Sequence, residues 1–484
     1  MNEVRNLEPS VLWNHFEDLN LVPRGSKKEE RVIEFILAFG KSLGLPTERD
    51  AIGNVVIRKP ATPGMENRKI TVLQSHLDMV HQKNSDTVFN FDTDPIQSYI
   101  DGDWVKAKGT TLGADNGIGV AALMSVLSAD DLEHGPIEAL FTIDEETGMT
   151  GAFNLEPGFL KGSILLNLDT EDEHELTIGC AGGIDTTVHW SADVDSTEGF
   201  SAFQINIKGL AGGHSGVDID LQRANSNKLA ARFLSSLPKD MQLRLAAFEG
   251  GNLRNAIPRE ASGLILISEG TENSFEAALR QFKLEASLEF KHTDPLLTFT
   301  ASRVSTPPTA ISSNNSSRLV NALNAAPNGV YRMSSDIPGL VETSTNLSKV
   351  VFLEGKLVVH FLTRSSVETS KMDLCGKIES VFNLLGASID HSGGYPGWAP
   401  NPESEILEIV KAVHQTYFGS EAIVNAIHAG LECGIIGRSH PGLDMISFGP
   451  TIKNPHSPDE KVEIATVQRF WEFLKLILRD VPMA

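Results

Sequence analysis

Several side chains able to bind a cation or move a proton stand where apolar runs end in this 484-residue chain. T-V-L-Q-S-H-L-D-M-V places His76 and Asp78 two residues apart, and the strand period of two turns both toward one face. A metal-bound imidazole needs an acceptor on its other nitrogen, so the pair reads as ligand His76 with orienter Asp78. G-T-T-L-G-A-D-N-G-I-G holds Asp115 in a glycine-rich turn before an apolar helix, where an aspartate can also be an N-cap. I-E-A-L-F-T-I runs into Asp144, Glu145 and Glu146, and L-L-N-L-D ends on Asp169. His456 lies between prolines in N-P-H-S-P-D-E. Each has a plain structural explanation, as a cap, a solvated strand end or an incidental loop histidine. In open α/β sheets, however, ligands bind beyond the carboxyl ends of strands. Two imidazoles and several carboxylates meeting there suit zinc or a similar first-row ion, or two such ions sharing a carboxylate. Whether Glu145 or Glu146 is the ligand stays open at this level.

The elements that must carry these groups alternate. Residues 26–45 space Val32, Phe35, Ile36 and Phe39 as a helix, with Ser26 and Glu29 as a capping box. Residues 54–59, 69–75, 137–143 and 163–169 read as strands, and 117–130 as an apolar helix. Short apolar strands between helices predict an α/β fold whose sheet is covered on both faces. Past residue 185 the pattern changes to half-exposed strands (203–209, 263–268), helices (224–237, 274–288) and a hairpin, 350–355 with 356–364, turning at E-G-K. G-G-Y-P-G-W-A-P-N-P (393–402) reads as a turn or linker, followed by helices at 403–418 and 467–480 and strands at 422–428 and 445–449. The predicted organisation is a first domain over 1–184 that resumes at 397–484, with an α+β domain, 185–396, inserted.

Composition narrows the partners. Lys and Arg number 41 against 63 Asp and Glu, a formal net charge of −22, which argues against nucleic-acid and anionic-membrane binding. No run approaches the roughly 20 apolar residues of a membrane span. The N-terminus lacks a secretory pattern, and three cysteines without a C-x-x-C suggest neither a disulfide framework nor a zinc ribbon. A cytoplasmic protein is expected.

S-H-L-D-M-V, T-L-G-A-D-N-G-I-G, D-E-E-T-G, N-L-D, G-G-H-S-G, R-N-A-I-P and H-S-P-D-E, in this order and spacing, resemble the M20 family of dizinc peptidases. R-K-P-A-T-P-G-M-E-N-R, the stretch from F-D-T-D-P to G-A-D-N-G, I-G-C-A-G-G-I-D and I-H-A-G-L-E-C-G are similar to its aminoacyl-histidine dipeptidase branch. The likeness runs from about Leu12 to the C-terminus. It implies a catalytic domain with a mixed, mostly parallel sheet between helices, interrupted by an α+β lid, and assembly as a homodimer. It also implies two divalent ions, Zn²⁺ with Co²⁺ or Mn²⁺ as options, bridged by Asp115. His76 and Asp169 complete one ion, Glu146 and His456 the other, Asp78 orients His76, and Glu145 is the general base for a hydroxide shared by the ions. His214, Asn255 and Arg364 are implied substrate contacts, His214 at the oxyanion and Arg364 on a carboxylate. The implied activity is hydrolysis of Xaa-His and other unblocked dipeptides, carnosine-like ones included. An M20 deacylase of N-acyl amino acids and a catalytically silent binding protein are the alternatives. Asp144 has no implied role; as a sequence feature it reads as a solvated or helix-capping acid.

Overall fold

The apolar runs become the buried strands of a mixed sheet. The structure, a computed structural model, describes residues 3–484 and divides by its internal contacts into two units. The first runs to Gly179 and resumes with Trp398–Ala426 and Leu431–Ala484; the second is Cys180–Gly397 with Ile427–Gly430.

The eight-stranded sheet of the first unit is built of β1 (Thr47–Arg49), β2 (Val55–Lys59), β3 (Thr71–His76), β4 (Ile137–Thr142), β5 (Ile164–Asn167), β6 (Glu175–Cys180), β7 (Ile423–Ile427) and β8 (Asp444–Ser447). They lie in the order β1-β2-β4-β3-β5-β8-β6-β7. The four central strands, β4, β3, β5 and β8, are parallel, with antiparallel neighbours at β2 and β6. Every residue of β3, β4 and β5 is buried, which is why they read as largely apolar runs without polar alternation. The longer helices are α1 (Ser10–Asn20), α2 (Glu30–Ser42), α3 (Ala114–Ser128), α4 (Glu405–Phe418), α5 (Glu432–Ser439) and α6 (Ile464–Asp480). Helix α3, apolar all round, is buried almost throughout and packs on β3 and α1. The mixed α/β architecture expected from the sequence is therefore present.

One local expectation fails and one alternative is set aside. Ser26 does not cap α2; its hydroxyl donates to Asp78 Oδ2 at 2.8 Å, and the N-cap, Glu29, makes no side-chain cap bond. Asp115 does not cap α3. Asp115 and Asn116 have non-helical backbone angles, and the Asp115 side chain turns toward the histidines described below.

The second unit is a nine-stranded antiparallel sheet with helices Ser226–Ser236, Glu272–Glu289, Ser313–Ala325 and Glu368–Leu385. Phe233 meets Phe275, Phe282 and Phe299 in its core. Strands Val341–Leu353 and Lys356–Ser365 form the hairpin at E-G-K. Glu354 and Gly355 both take positive φ, the two-residue turn whose twist suits a hairpin. Further along, a register shift between Leu347 and Lys349 brings Arg364 opposite Ser344. Among the described residues no helix is long and apolar enough to cross a membrane.

A Cβ at Gly355 would lie 2.3 Å from the Ala192 carbonyl oxygen, at φ +76°. Gly355→Ala should therefore cost about 1–3 kcal/mol. A lowered thermal midpoint and faster amide exchange across 341–365 are the expected readouts; a wild-type profile would refute this account of the turn.

Candidate active site

Three adjacent parallel strands end side by side, and their exits carry the polar groups. His76 is the last residue of β3, Glu145 and Glu146 follow β4, and Asp169 lies two residues past β5. Asp115 enters from the start of α3, and His456 from the loop after Lys453.

Asp115 faces two ways. Its Oδ1 lies 3.2 Å from His76 Nε2, which is also 3.5 Å from Asp169 Oδ1. Its Oδ2 lies 3.0 Å from His456 Nε2, which is 2.9 Å from Glu146 Oε2. The result is two donor sets, His76–Asp115–Asp169 and Asp115–Glu146–His456, sharing one carboxylate. Donors bound to one tetrahedral ion at about 2.0–2.2 Å stand roughly 3.3–3.6 Å apart, close to these spacings. Glu146 Oε1 is buried with no hydrogen-bond partner. An orphaned carboxylate oxygen and two imidazole nitrogens aimed at carboxylates are what a cation pair would satisfy, so the residues fit divalent metal.

The electrostatics agree. Burial alone would lower the His76 pKa, yet the carboxylates of Asp169, Asp115 and Asp78 hold it well above its usual range. His456, half exposed, is raised to about 11 by its bonds to Asp115 and Glu146. Burial tends to raise Asp115, but the two imidazoles hold it well below the normal carboxylate range. Asp169 is raised to about 6 and Glu145 well above 4.5, both chiefly by burial and then by neighbouring carboxylates. Without metal, protons on His76 and His456 thus stand where cations would.

Asp78 does more than the H-x-D spacing suggested. Its Oδ1 is 3.4 Å from His76 Nδ1, which lies closer, 3.1 Å, to the Asp78 backbone carbonyl. The same carboxylate accepts the backbone N–H groups of Glu145, at 3.0 Å, and Glu146, at 3.2 Å. One buried acid therefore sets the histidine ring and both glutamates. Asp144 is neither solvated nor a helix cap. It is buried, and its carboxylate accepts the hydroxyls of Thr147 and Thr150, closing the bend after β4.

Beneath this layer lies a second one, two residues back along the same strands. Gln74 Nε2 donates to Glu432 Oε2 at 2.7 Å and to Thr142 Oγ1 at 3.1 Å, and Thr142 Oγ1 donates to the same Glu432 oxygen at 2.6 Å. Asn167 and Ser447 continue the chain. Burial pushes Glu432 up to about 8. Sequence reasoning missed Glu432, Glu460 and Arg24; an acid in H-S-P-D-E and one in L-E-C-G were the available signals.

The remaining implied residues belong to the second unit. His214 sits on a two-residue strand opposite Ala256, where the Asn255 carbonyl accepts the Ser215 N–H at 2.8 Å. His214 Nδ1 accepts from the N–H groups of Gly216 and Val217, at 3.3 and 3.2 Å, which leaves the proton on Nε2. Burial and then Arg364 lower its pKa. The Asn255 residue itself is exposed. Arg364, which by sequence could be a surface residue at a strand end, is 5% exposed. It donates to the Tyr395 hydroxyl at 2.9 Å, its Nε is unpartnered, and it forms no ion pair among the described residues. His428, buried beside it, is lowered to about 3 by burial and then by Arg364.

The profile of peptidase family M20/M25/M40 matches residues 72–480. The chain belongs to this family. It is 43% identical to the cytosol non-specific dipeptidase of Escherichia coli (strain K12) over 483 residues, 100% of both chains. It superposes on the crystal structure of aminoacylhistidine dipeptidase from Vibrio alginolyticus with a TM-score of 0.96 and 46% identity, over 100% of this chain and 99% of that one. The crystal structure of aminopeptidase PepT from Bacillus cereus has a similar fold, at a TM-score of 0.57 and 16% identity, covering 98% of this chain and 99% of that one.

Metal held by His76 and His456 would displace their protons, so loading at pH 7.5 should release protons. Calorimetry in buffers of different ionisation enthalpy measures this. Loading without proton release would contradict the charge assignment, and His456→Ala should release fewer protons and bind the second ion at least tenfold more weakly.

Proposed function

We propose that this M20 peptidase is a metal-dependent dipeptidase that hydrolyses Xaa-His and other unblocked dipeptides, carnosine-like substrates among them. The observation that carries the reading is the pair of donor sets sharing Asp115, together with full-length likeness to a protein named as a dipeptidase. Asp115 would bridge two ions, with His76 and Asp169 on one and Glu146 and His456 on the other. Zn²⁺ suits this mixed imidazole–carboxylate set best, with Co²⁺ or Mn²⁺ able to replace it. When bound, such ions lower the pKa of a water toward about 7 and polarise the scissile carbonyl.

This chain's residues supply the rest. Glu145 takes the proton of the attacking water and hands it to the leaving amine, a role suited to a carboxyl whose pKa burial has raised. Asp78 keeps the His76 ring and the Glu145 and Glu146 backbone in place. His214, with its proton on Nε2, is suited to donate to the oxyanion of the tetrahedral state. Arg364 is suited to the C-terminal carboxylate of a dipeptide, since a buried guanidinium without an acid partner seeks one. Asn255 is the third substrate contact in this reading, supported by the family resemblance and its place beside the His214 strand. The second unit serves as a lid in this reading. A cytosolic location and a homodimer belong to it too, the first supported by the name of the Escherichia coli relative.

A panel of dipeptides, carnosine and N-acetyl amino acids, assayed with metal content determined on the same sample, tests the reading. Metal-loaded protein should release histidine from Gly-His and carnosine, and chelation should stop it. Turnover confined to N-acetyl amino acids would replace the dipeptidase by a deacylase. Glu145→Gln should lower kcat by a factor of 10³ or more with both metals retained; wild-type kcat would remove Glu145 as the base. Arg364→Met should raise KM for dipeptides at least tenfold while leaving metal content unchanged, and an unaltered KM would dismiss the carboxylate role.

A further inference from the structure

We infer that Glu460 is a positioning residue that fixes the separation of Asp115 and His456, with Arg24 holding the same turn from the other side. The inference rests on the ligand assignment above and concerns what keeps two ligands so far apart in sequence in register.

Glu460 lies four residues after His456, in the same P-H-S-P-D-E loop, and is 2% exposed. Its carboxylate accepts four consecutive backbone N–H groups. Oε2 takes those of Leu112 and Gly113 at 2.8 and 2.9 Å, and Oε1 takes those of Ala114 and Asp115 at 2.7 and 3.2 Å. These N–H groups precede or open helix α3, where no helical carbonyl can receive them. The Glu460 N–H bonds back to the Ser457 carbonyl at 3.0 Å, which folds its own loop toward the histidine. One side chain therefore fastens the turn that carries Asp115 to the loop that carries His456. The 3.0 Å approach of their side chains follows from that fastening.

Arg24 completes the clamp. It is 1% exposed, and its Nη2 donates to the Gly113 carbonyl at 2.6 Å. Its Nη1 donates to the carbonyls of Leu77 and Asp78, each at 3.3 Å, so the exit of β3 is tied to the Asp115 turn. Glu460 takes the N–H groups of the turn and Arg24 takes a carbonyl, each charge meeting the backbone dipoles it attracts. The fit requires glycine at 113. Its φ is +68°, and a Cβ there would stand 2.4 Å from Arg24 Nη2. Neither Glu460 nor Arg24 has a place among the ligands or the proton-transfer groups, and both are too buried to be explained by solubility.

The test uses the full chain, wild-type and Glu460→Gln, the isostere that keeps volume but turns an amide N–H₂ toward backbone donors. Zn²⁺ is titrated against a competing chelator, with stoichiometry from elemental analysis. Wild type should hold two ions. Glu460→Gln should bind the first with wild-type affinity and the second about 10–100-fold more weakly, with kcat partly restored by excess Zn²⁺. Hydrogen exchange on metal-free wild type is the companion measurement, and it decides the matter if the variant does not fold. The 112–115 amides should stay protected after chelation. Two ions at wild-type affinity in Glu460→Gln, or 112–115 amides protected only when metal is present, would overturn the inference. Wild-type protein that binds no ion pair would instead bring down the ligand assignment itself.

Discussion

Carboxylates crowded around one point inside a protein cannot all stay ionised unless positive charge stands between them. Asp115 and Asp169 lie within 4.8 Å of each other beside His76, and Asp115 and Glu146 do so beside His456. In the metal-free chain the compensation comes from protons, which is why both histidines are held protonated above their ordinary range. A pair of divalent cations held by these residues would relieve the repulsion that the fold creates. The rest of the first unit can be understood as the means of maintaining this arrangement.

The parallel strands do the coarse work. Because β4, β3 and β5 are adjacent and run the same way, their exits deliver His76, both glutamates and Asp169 to one edge. Finer placement comes from buried side chains that bond to backbone. Asp78 fixes the 145–146 turn, and Glu460 and Arg24 fix the 112–115 turn. The layer of Gln74, Thr142, Glu432, Asn167 and Ser447 gives the strand ends a hydrogen-bonded floor. Such a network is rigid when satisfied, and rigidity at this level is what a metal pair demands of its ligands.

Much of this was legible in the sequence, for a physical reason. Strand ends follow from apolar runs, and in a parallel sheet strand ends converge, so the meeting of His76, Asp169 and the acids after β4 could be expected from pattern alone. The division of Glu145 from Glu146 could not, because adjacent residues in a turn are sorted by backbone angles. The family resemblance supplied that division, and it remains part of the proposed function. Ser26 illustrates a local rule losing to a distant partner. Its capping box was well formed in sequence, but the buried Asp78 carboxylate took the hydroxyl instead. Glu460 and Arg24 were illegible because their partners are backbone groups far away in the chain. The burial of Arg364 and the dry, hydroxyl-bonded state of Asp144 were hidden likewise, since only packing decides whether a polar side chain meets water.

The proposed dinuclear site turns on one carboxylate, Asp115, being shared by two cations. Anomalous diffraction at the zinc edge from crystals of the zinc-loaded protein tests it most directly. The expected map has two peaks, one beside each Asp115 oxygen, the first also contacting His76 and Asp169 and the second Glu146 and His456. A single peak at saturating zinc, or two peaks neither of which touches Asp115, would contradict the account.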